Sequence, residues 1–202
     1  SGFGDMQLAM QYYLPDQHLL FQVTANLPTG KQKLTPEEFR SSIALGHSYY
    51  DFRMPNMGQG FNLIPGVSWA GPLSENLMVG LGAACQFSGS FQPLANPDGK
   101  YDPGNEFLIT GGADYRFSDI STLSADLIVS FYGTDRFDTT RVYKSGAKTV
   151  ASVQFQRHYG FNHLIILARY RSRAKSLAVI DGKLKEEAEK TYPDYLIVSG
   201  QY

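Results

Sequence analysis

The sequence predicts an all-β fold, specifically an antiparallel transmembrane β-barrel, on three observations. Apolar and polar residues alternate along segments of about 9–13 residues, and a tilted membrane strand needs about 9–11 residues. Short connections alternate with long ones, as in barrels with short periplasmic turns and long outer loops. Charged residues make up only 18% of the chain, below the usual share of about 25%. We expect about ten to twelve strands when the barrel is complete.

The alternation recurs nine times along the chain. In the first segment, Met6, Leu8 and Met10 alternate with Gln7 and Ala9. Because side chains of a strand point alternately to its two faces, this period of two indicates a strand with one apolar and one polar face. The predicted strands are 5–14, 18–27, 62–71, 76–88, 105–117, 122–132, 146–157, 163–174 and 194–202.

Proline, capping and charge patterns bear on one predicted strand and on two of the long loops. Pro65 lacks a ladder donor, so we expect the third strand to begin only at Gly66 or to carry a bulge. Thr35 and Glu38 form a capping box around Pro36, which predicts a short helix in the loop 28–61. Propensity and charge predict a second loop helix over Gly182–Lys190. Both helices are interpreted as solvated turns on long outer loops.

The direction of the apolar face separates a membrane barrel from a soluble one, and three features favour an outward direction. The polar face is built from Gln, Ser, Thr, Asn and Gly, whereas a water-facing surface would carry many more charges. The chain ends in Tyr202 on an amphipathic strand, which resembles the assembly signal of bacterial outer-membrane proteins. Aromatic residues lie near the strand ends, as membrane girdles require: Tyr12, Trp69, Phe87, Phe107, Tyr115, Phe117, Phe131 and Tyr170.

The polar face then lines the lumen of the predicted barrel. Its charges include an arginine ladder, which we expect to face carboxylates because charges in a narrow lumen need partners or water. Two interpretations remain open. The charges could form a network of salt bridges and hydrogen bonds that fills a small barrel. Alternatively, the arginines could form an electropositive strip that guides anionic or amphiphilic solutes. The predicted lumen-lining residues are Glu106, Asp114, Arg116, Asp126, Lys148, Gln154, Arg169, Arg171 and Arg173.

Other function classes lack support in the sequence. A formal net charge of −1 excludes a broadly basic nucleic-acid-binding protein. His18, His47, His158 and His163 show no metal-ligand spacing, and no G-x-S-x-G elbow is present. Cys85 is the single cysteine and falls on the apolar face. We therefore expect no enzyme activity, no metal and no cofactor.

No signal peptide opens the chain. If the protein is exported, we expect that its signal peptide has been removed or lies upstream.

Two short motifs carry a family resemblance. "GFGD" enters the first strand at Gly2, Gly4 and Asp5, and "LPTG" closes the second at Pro28–Gly30. With "NLIPGVSWAGPLSENLMVGLGAACQFSG", they resemble a family of bacterial outer-membrane barrels that is named for a phenol-degradation pathway and is similar to long-chain fatty-acid transporters. The resemblance covers roughly residues 2–132 and implies an outer-membrane barrel for passage of small, often hydrophobic compounds. Relatives would have strands before "GFGD".

The sequence as a whole predicts one domain over 1–202, located in the bacterial outer membrane. Nine strands cannot close a bacterial barrel, which takes an even number, so we expect a further strand upstream, from another chain, or unrecognised here. The predicted function is a channel or transporter for passive passage of small hydrophobic or anionic solutes. The alternatives are a scaffold barrel with a plugged lumen in an envelope complex, and a soluble ligand-binding barrel. Expected partners are outer-membrane lipid, small solutes, or envelope protein subunits, and no nucleic acid.

Overall fold

Nine long strands form the main sheet of this chain. The computed structural model describes residues 4–31, 33–38, 40, 58, 60–93, 99–160, 162–180 and 182–202. The long strands match the nine predicted segments to within about three residues. They are β1 (Met6–Leu14), β2 (Leu19–Leu27), β3 (Asn62–Ser74), β4 (Leu77–Ser88), β6 (Glu106–Ser118), β7 (Ser121–Tyr132), β10 (Lys148–Tyr159), β11 (Asn162–Arg173) and β14 (Tyr195–Gln201).

The main sheet is antiparallel throughout, in the order β1-β2-β3-β4-β6-β7-β10-β11-β14. Each long strand therefore pairs with the next along the chain, as short hairpin turns at one end of the sheet require. The first of these turns is the 3-10 turn Pro15–Gln17, which ends at His18 with a φ of 55°. This architecture confirms the predicted fold class: all-β, antiparallel, with short turns and long loops at opposite ends.

Pro65 is accommodated differently from the sequence-based expectation. β3 begins at Asn62, and Pro65 pairs with Val23 of β2 without a shift in register. The expected late start at Gly66 and the bulge at this proline are therefore wrong. The ladder of β3 with β4 skips Ile64 and Pro65 without a change in register, and its register shift lies at the other end, between Pro72 and Ser74.

The long loops form a second sheet, here called the loop sheet. Its strands are short, and their order is β13-β12-β9-β8-β5. The loops are thus joined to one another by backbone hydrogen bonds. The strands are β5 (Tyr101–Asp102), β8 (Thr134–Phe137), β9 (Thr140–Lys144), β12 (Leu177–Ile180) and β13 (Lys183–Glu186).

The helix predicted over Gly182–Lys190 is wrong, because this segment begins with β13. Ile180 pairs with Lys183, and Gly182 has a φ of 73°. The two-residue connection reads Asp-Gly, a sequence that favours the tight turn of a hairpin. Isolated helices shorter than about 12 residues are marginal in water, so pairing with β12 outweighs helix propensity here.

The helical turn predicted at Pro36 is confirmed over the described residues of its loop. Residues 36–38 are helical. The Thr35 amide donates to the Glu38 carboxylate over 2.9 Å, and the Glu38 amide donates to the Thr35 hydroxyl over 3.3 Å. This reciprocal pair is a capping box. Within the described part of the chain, no helix is long and apolar enough to cross a membrane.

The apolar side chains of the main sheet remain exposed. Among the described residues no hydrophobic side chain is buried, and Met10, Leu81 and Val198 are each more than 60% exposed. The chain exposes 13834 Å², against about 9400 Å² for a compact soluble protein of this mass. A soluble fold would cover such a face against another layer. The fold is therefore suited to an apolar surrounding.

Candidate functional site: the polar face of the main sheet

The strand register decides which side chains share a face. Ser152 of β10 lies opposite Asp126 of β7 on one side and opposite Arg169 of β11 on the other. Alternation along each strand then extends this face across the sheet. All nine residues predicted to line a lumen fall on this polar face: Glu106, Asp114, Arg116, Asp126, Lys148, Gln154, Arg169, Arg171 and Arg173.

The opposite, apolar face carries the aromatic residues predicted as girdles. Phe107 of β6 lies opposite Phe131 of β7, near the loop end of both strands. Tyr115 and Phe117 pack edge to face, with ring centroids 4.8 Å apart, near the turn end. All eight predicted girdle residues have the parity of this face: Tyr12, Trp69, Phe87, Phe107, Tyr115, Phe117, Phe131 and Tyr170.

The central row of the polar face consists of Arg169, Ser152 and Asp126, on three adjacent strands. The Ser152 hydroxyl donates to the Asp126 carboxylate over 3.4 Å. Arg169 is half-buried and forms no hydrogen bond or ion pair with any residue that the structure describes. Two interstrand steps put Asp126 and Arg169 roughly 10 Å apart at the backbone. The row therefore presents a carboxylate and a guanidinium on either side of a hydroxyl.

Glycine continues this row across the next two strands and makes room above it. Gly112 lies opposite Asp126, and Gly80 lies opposite Gly112. A Cβ added to Gly112 would meet an oxygen of Asp126 at 3.0 Å, so the aspartate side chain lies over this glycine. The result is an open concave space of about 440 Å³ that is lined by the central row, Thr110 and the two glycines.

The other two arginines of β11 contact tyrosines, which the sequence did not predict, and the expectation that the ladder faces carboxylates stays a prediction. An Nη of Arg171 donates to the Tyr195 hydroxyl over 2.6 Å. Arg173 lies over the rings of Tyr132 and Tyr192, at 5.8 and 4.4 Å from their centroids. The aromatic face attracts a guanidinium electrostatically. Tyr195 is the register partner of Arg171 on β14, Tyr132 ends β7, and only Tyr192 lies in the loop before β14.

Asp194, in the same loop, ties this segment to β11. Its carboxylate accepts hydrogen bonds from Lys190 at 2.9 Å and from the Ser172 hydroxyl at 2.8 Å. The Tyr170 hydroxyl also donates, over 3.3 Å. These donors, Lys190 first, lower the pKa of Asp194 because they stabilise the charged form. Tyr192, which lies over Arg173, thus belongs to a loop segment that is bonded to β11.

Charged groups at the turn end of the polar face also have partners. Asp114 accepts a hydrogen bond from the Ser124 hydroxyl at 2.5 Å, and an Nη of Arg116 donates to the Glu75 carbonyl over 3.4 Å. Gln154 lies between Ser124 and Leu167 in the strand register. These contacts are local, so the turn end is stabilised within neighbouring strands.

Sequence reasoning missed a polar clamp that joins the two resemblance motifs. The Asp5 carboxylate accepts hydrogen bonds from the amides of Gly30 and Gly58, at 2.9 and 2.7 Å. The Met6 amide donates to the Thr29 hydroxyl over 2.8 Å. The pairing of Met6 with Leu27 brings "GFGD" and "LPTG" together where β1 begins and β2 ends. The two motifs are far apart in the sequence, so this contact could not be read from it. Gly2 lies outside the described residues.

The histidines form no candidate metal centre within the part of the chain that the structure describes. His158 and His163 pair across β10 and β11 and stack with ring centroids 4.3 Å apart. No group of three or more His, Cys, Asp or Glu side chains could hold a metal ion among the described residues. His47 lies outside those residues. The absence of enzyme activity stays a prediction.

Comparison with known proteins tests the fold. The chain is similar to the crystal structure of an outer membrane channel from Pseudomonas putida, with a TM-score of 0.55 and 14% identity. The match covers 98% of this chain and 68% of the channel chain. The fold is that of an outer-membrane barrel. No protein-family model and no curated protein matches the sequence. The phenol-degradation family therefore stays a prediction, while the outer-membrane barrel architecture that it implied is confirmed.

Proposed function

We propose that the protein is a channel for passive passage of small solutes through a bacterial outer membrane. One observation carries this proposal: an exposed apolar face backs a polar face that holds open space and an arginine, Arg169, without a partner among the described residues. In lipid the apolar face would turn outward. The polar face, including all nine residues predicted to line it, would then enclose water and solutes.

The aromatic residues support a membrane position for the strands. Phe107 and Phe117 are ten residues apart on β6, which corresponds to about 33 Å along an extended strand. At the tilt of about 40° found in barrels, this spans about 25 Å of membrane thickness, the height of the apolar band of outer-membrane barrels. The two aromatic levels would therefore lie at the two interfaces.

Closure of the lumen requires more than the nine strands of the main sheet. β1 and β14 each pair with one neighbour only within the described residues. In an antiparallel sheet of nine strands the first and last run in the same direction, so an odd number of further strands must lie between them. Unpaired backbone groups are costly in lipid. We propose that these strands come from this or another polypeptide.

Planar-bilayer recording of the full chain, extracted in detergent, tests the channel. We expect steady single-channel conductance, with an anion preference that falls in Arg169→Ala because a charged pore wall selects ions. Arg157→Ala is the matched control, since it removes the same charge from the apolar face. A folded, inserted protein that passes no current would overturn the channel function. An equal effect of both substitutions would show that Arg169 does not line the pore.

A scaffold barrel in an envelope complex is the second candidate. The loop sheet favours it, because ordered loops that are joined to one another offer a fixed surface at one end. Tyr192 and Tyr195 contact Arg173 and Arg171 and would narrow the lumen at the loop end of the strands. This candidate predicts insertion without conductance, together with co-purification of another envelope subunit after mild extraction.

A further inference from the structure

The central row holds two opposite charges that do not neutralise each other. No ion pair joins Asp126 and Arg169, although they share one row of one face. Ser152 fills the position between them and donates its hydroxyl to Asp126 only. Charges on a polar face usually pair with an opposite charge or with water. A gap kept open between two opposite charges is therefore suited to a third group.

The chemistry of the two side chains defines that group. A guanidinium offers a planar fork of donors that fits a carboxylate in two-point contact. Asp126 disfavours a second negative charge beside that carboxylate and favours an ammonium there. A small solute with both groups satisfies both side chains together, whereas a simple anion meets attraction at Arg169 and repulsion at Asp126.

The surroundings of the row limit the size of the solute and keep it accessible. Gly112 and Gly80 continue the row without side chains, and the space above them measures about 440 Å³. Asp126 is exposed to this space, while Arg169 is half-buried at its edge. Such a site is open enough for release, which conduction requires as much as binding.

We propose that the central row binds small amphoteric carboxylates, the chemical class of the α-amino acids, during passage. The solute carboxylate contacts Arg169 and the ammonium contacts Asp126. This inference rests on the proposed channel function and narrows it to a solute class. The Ser152 hydroxyl keeps the Asp126 carboxylate oriented between the two strands that flank it.

Tracer efflux from proteoliposomes of the full chain tests the inference with three solutes of similar size. Glycine carries both charges, glycolate carries the negative one, and glycolamide carries neither. A solvent-accessible ion pair is worth up to about 1 kcal/mol, so we expect Asp126→Asn to lower the glycine-to-glycolamide rate ratio about two- to fivefold. The same substitution raises glycolate passage. Arg169→Gln lowers the rates of glycine and glycolate together.

Controls separate this inference from the channel function itself. Arg157→Gln, on the apolar face, leaves all three rates unchanged, and unchanged heat-modifiability on gels shows that each variant folds. If glycolamide passes but neither central-row substitution alters the rate ratios, the solute class is wrong and the channel stands. An equal change for all three solutes shows a steric role and also overturns the inference. A wild-type protein that passes none of them overturns both proposals.

Discussion

Three arginines at alternate positions of β11 meet three different surroundings. Arg173 lies over two tyrosine rings, Arg171 donates to a tyrosine hydroxyl, and Arg169 has no partner among the described residues. The Arg171 Nη that donates to Tyr195 is not available to another acceptor, and the Tyr192 ring covers a face of the Arg173 guanidinium. Identical residues at identical spacing therefore differ in availability, and Arg169 is the one open to the polar space.

A loop carboxylate provides a pH-dependent prediction at the same scale. The Lys31 ammonium donates to Glu38 at 2.6 Å, the Thr35 amide also donates, and these contacts lower the pKa of Glu38 from 4.5 to about 2. A lowered pKa means that the carboxylate stabilises the folded turn above pH 4.5. That contribution is lost progressively as the pH falls from 4.5 to about 2.

Carboxyl ¹³C NMR in detergent micelles measures this pKa directly. We expect a titration midpoint for Glu38 of about 2 in the wild type, and a higher midpoint in Lys31→Ala because the main donor is gone. Lys33→Ala is the control, since Lys33 is a neighbouring lysine that makes no contact with Glu38. A wild-type midpoint near 4.5 would show that the Lys31 contact does not form.

At the scale of elements, close backbone approaches hold the loop sheet against the strand ends. A Cβ on Gly146 would lie 1.9 Å from the Ala174 carbonyl oxygen. The neighbouring contacts converge on Ser176, whose hydroxyl accepts from the Gly146 amide at 3.2 Å and from Tyr143 at 2.8 Å. Ser176 is 2% exposed, so the two loops meet in a dry junction.

Substitution of Gly146 by Ala should open this junction. The clash is with backbone, which cannot rotate away, so we expect loss of the Ser176 hydrogen bonds and faster protease cleavage near residues 174–176. Gly200→Ala is the control, because its nearest neighbour would lie at 3.9 Å. Timed proteolysis with mass spectrometry measures the effect. Equal protection of Gly146→Ala and wild type would contradict the role of this contact.

At the scale of the whole molecule, the proposed channel function requires the two sides of the main sheet to meet different solvents. Cys85 lies on the apolar face of β4, opposite Phe107, and is the single cysteine of the chain. It can therefore report which face meets lipid without any substitution. Thr110, on β6, has the parity of the polar face and lines its open space.

Thiol labelling in lipid vesicles distinguishes the faces. We expect Cys85 to resist a charged maleimide, because lipid excludes the charged reagent. In a Cys85→Ser background, Thr110→Cys should react with the charged reagent at least about tenfold faster than wild type, since its thiol meets water and forms the reactive thiolate there. Rapid reaction of Cys85 with the charged reagent would reverse the assignment of the faces.

Much of this architecture follows from local sequence. The period of two in each long segment predicted the nine strands, and parity alone put Asp126, Arg169 and their seven predicted companions on one face. A slip of one residue would turn every apolar side chain inward, so the alternation also constrains the register. The capping box at Thr35 was equally local and was predicted for that reason.

The tertiary structure alone decided the features that join distant segments. The Tyr192 contact with Arg173, the Asp5 clamp and the pairing of β12 with β9 depend on which loops meet, and neighbouring residues do not encode that meeting. The loop sheet overrode the helix propensity at Gly182–Lys190 because propensity is a weak prior beside strand pairing. The alternation by itself determined the strands and their faces, while long-range contacts decided which charges remain available.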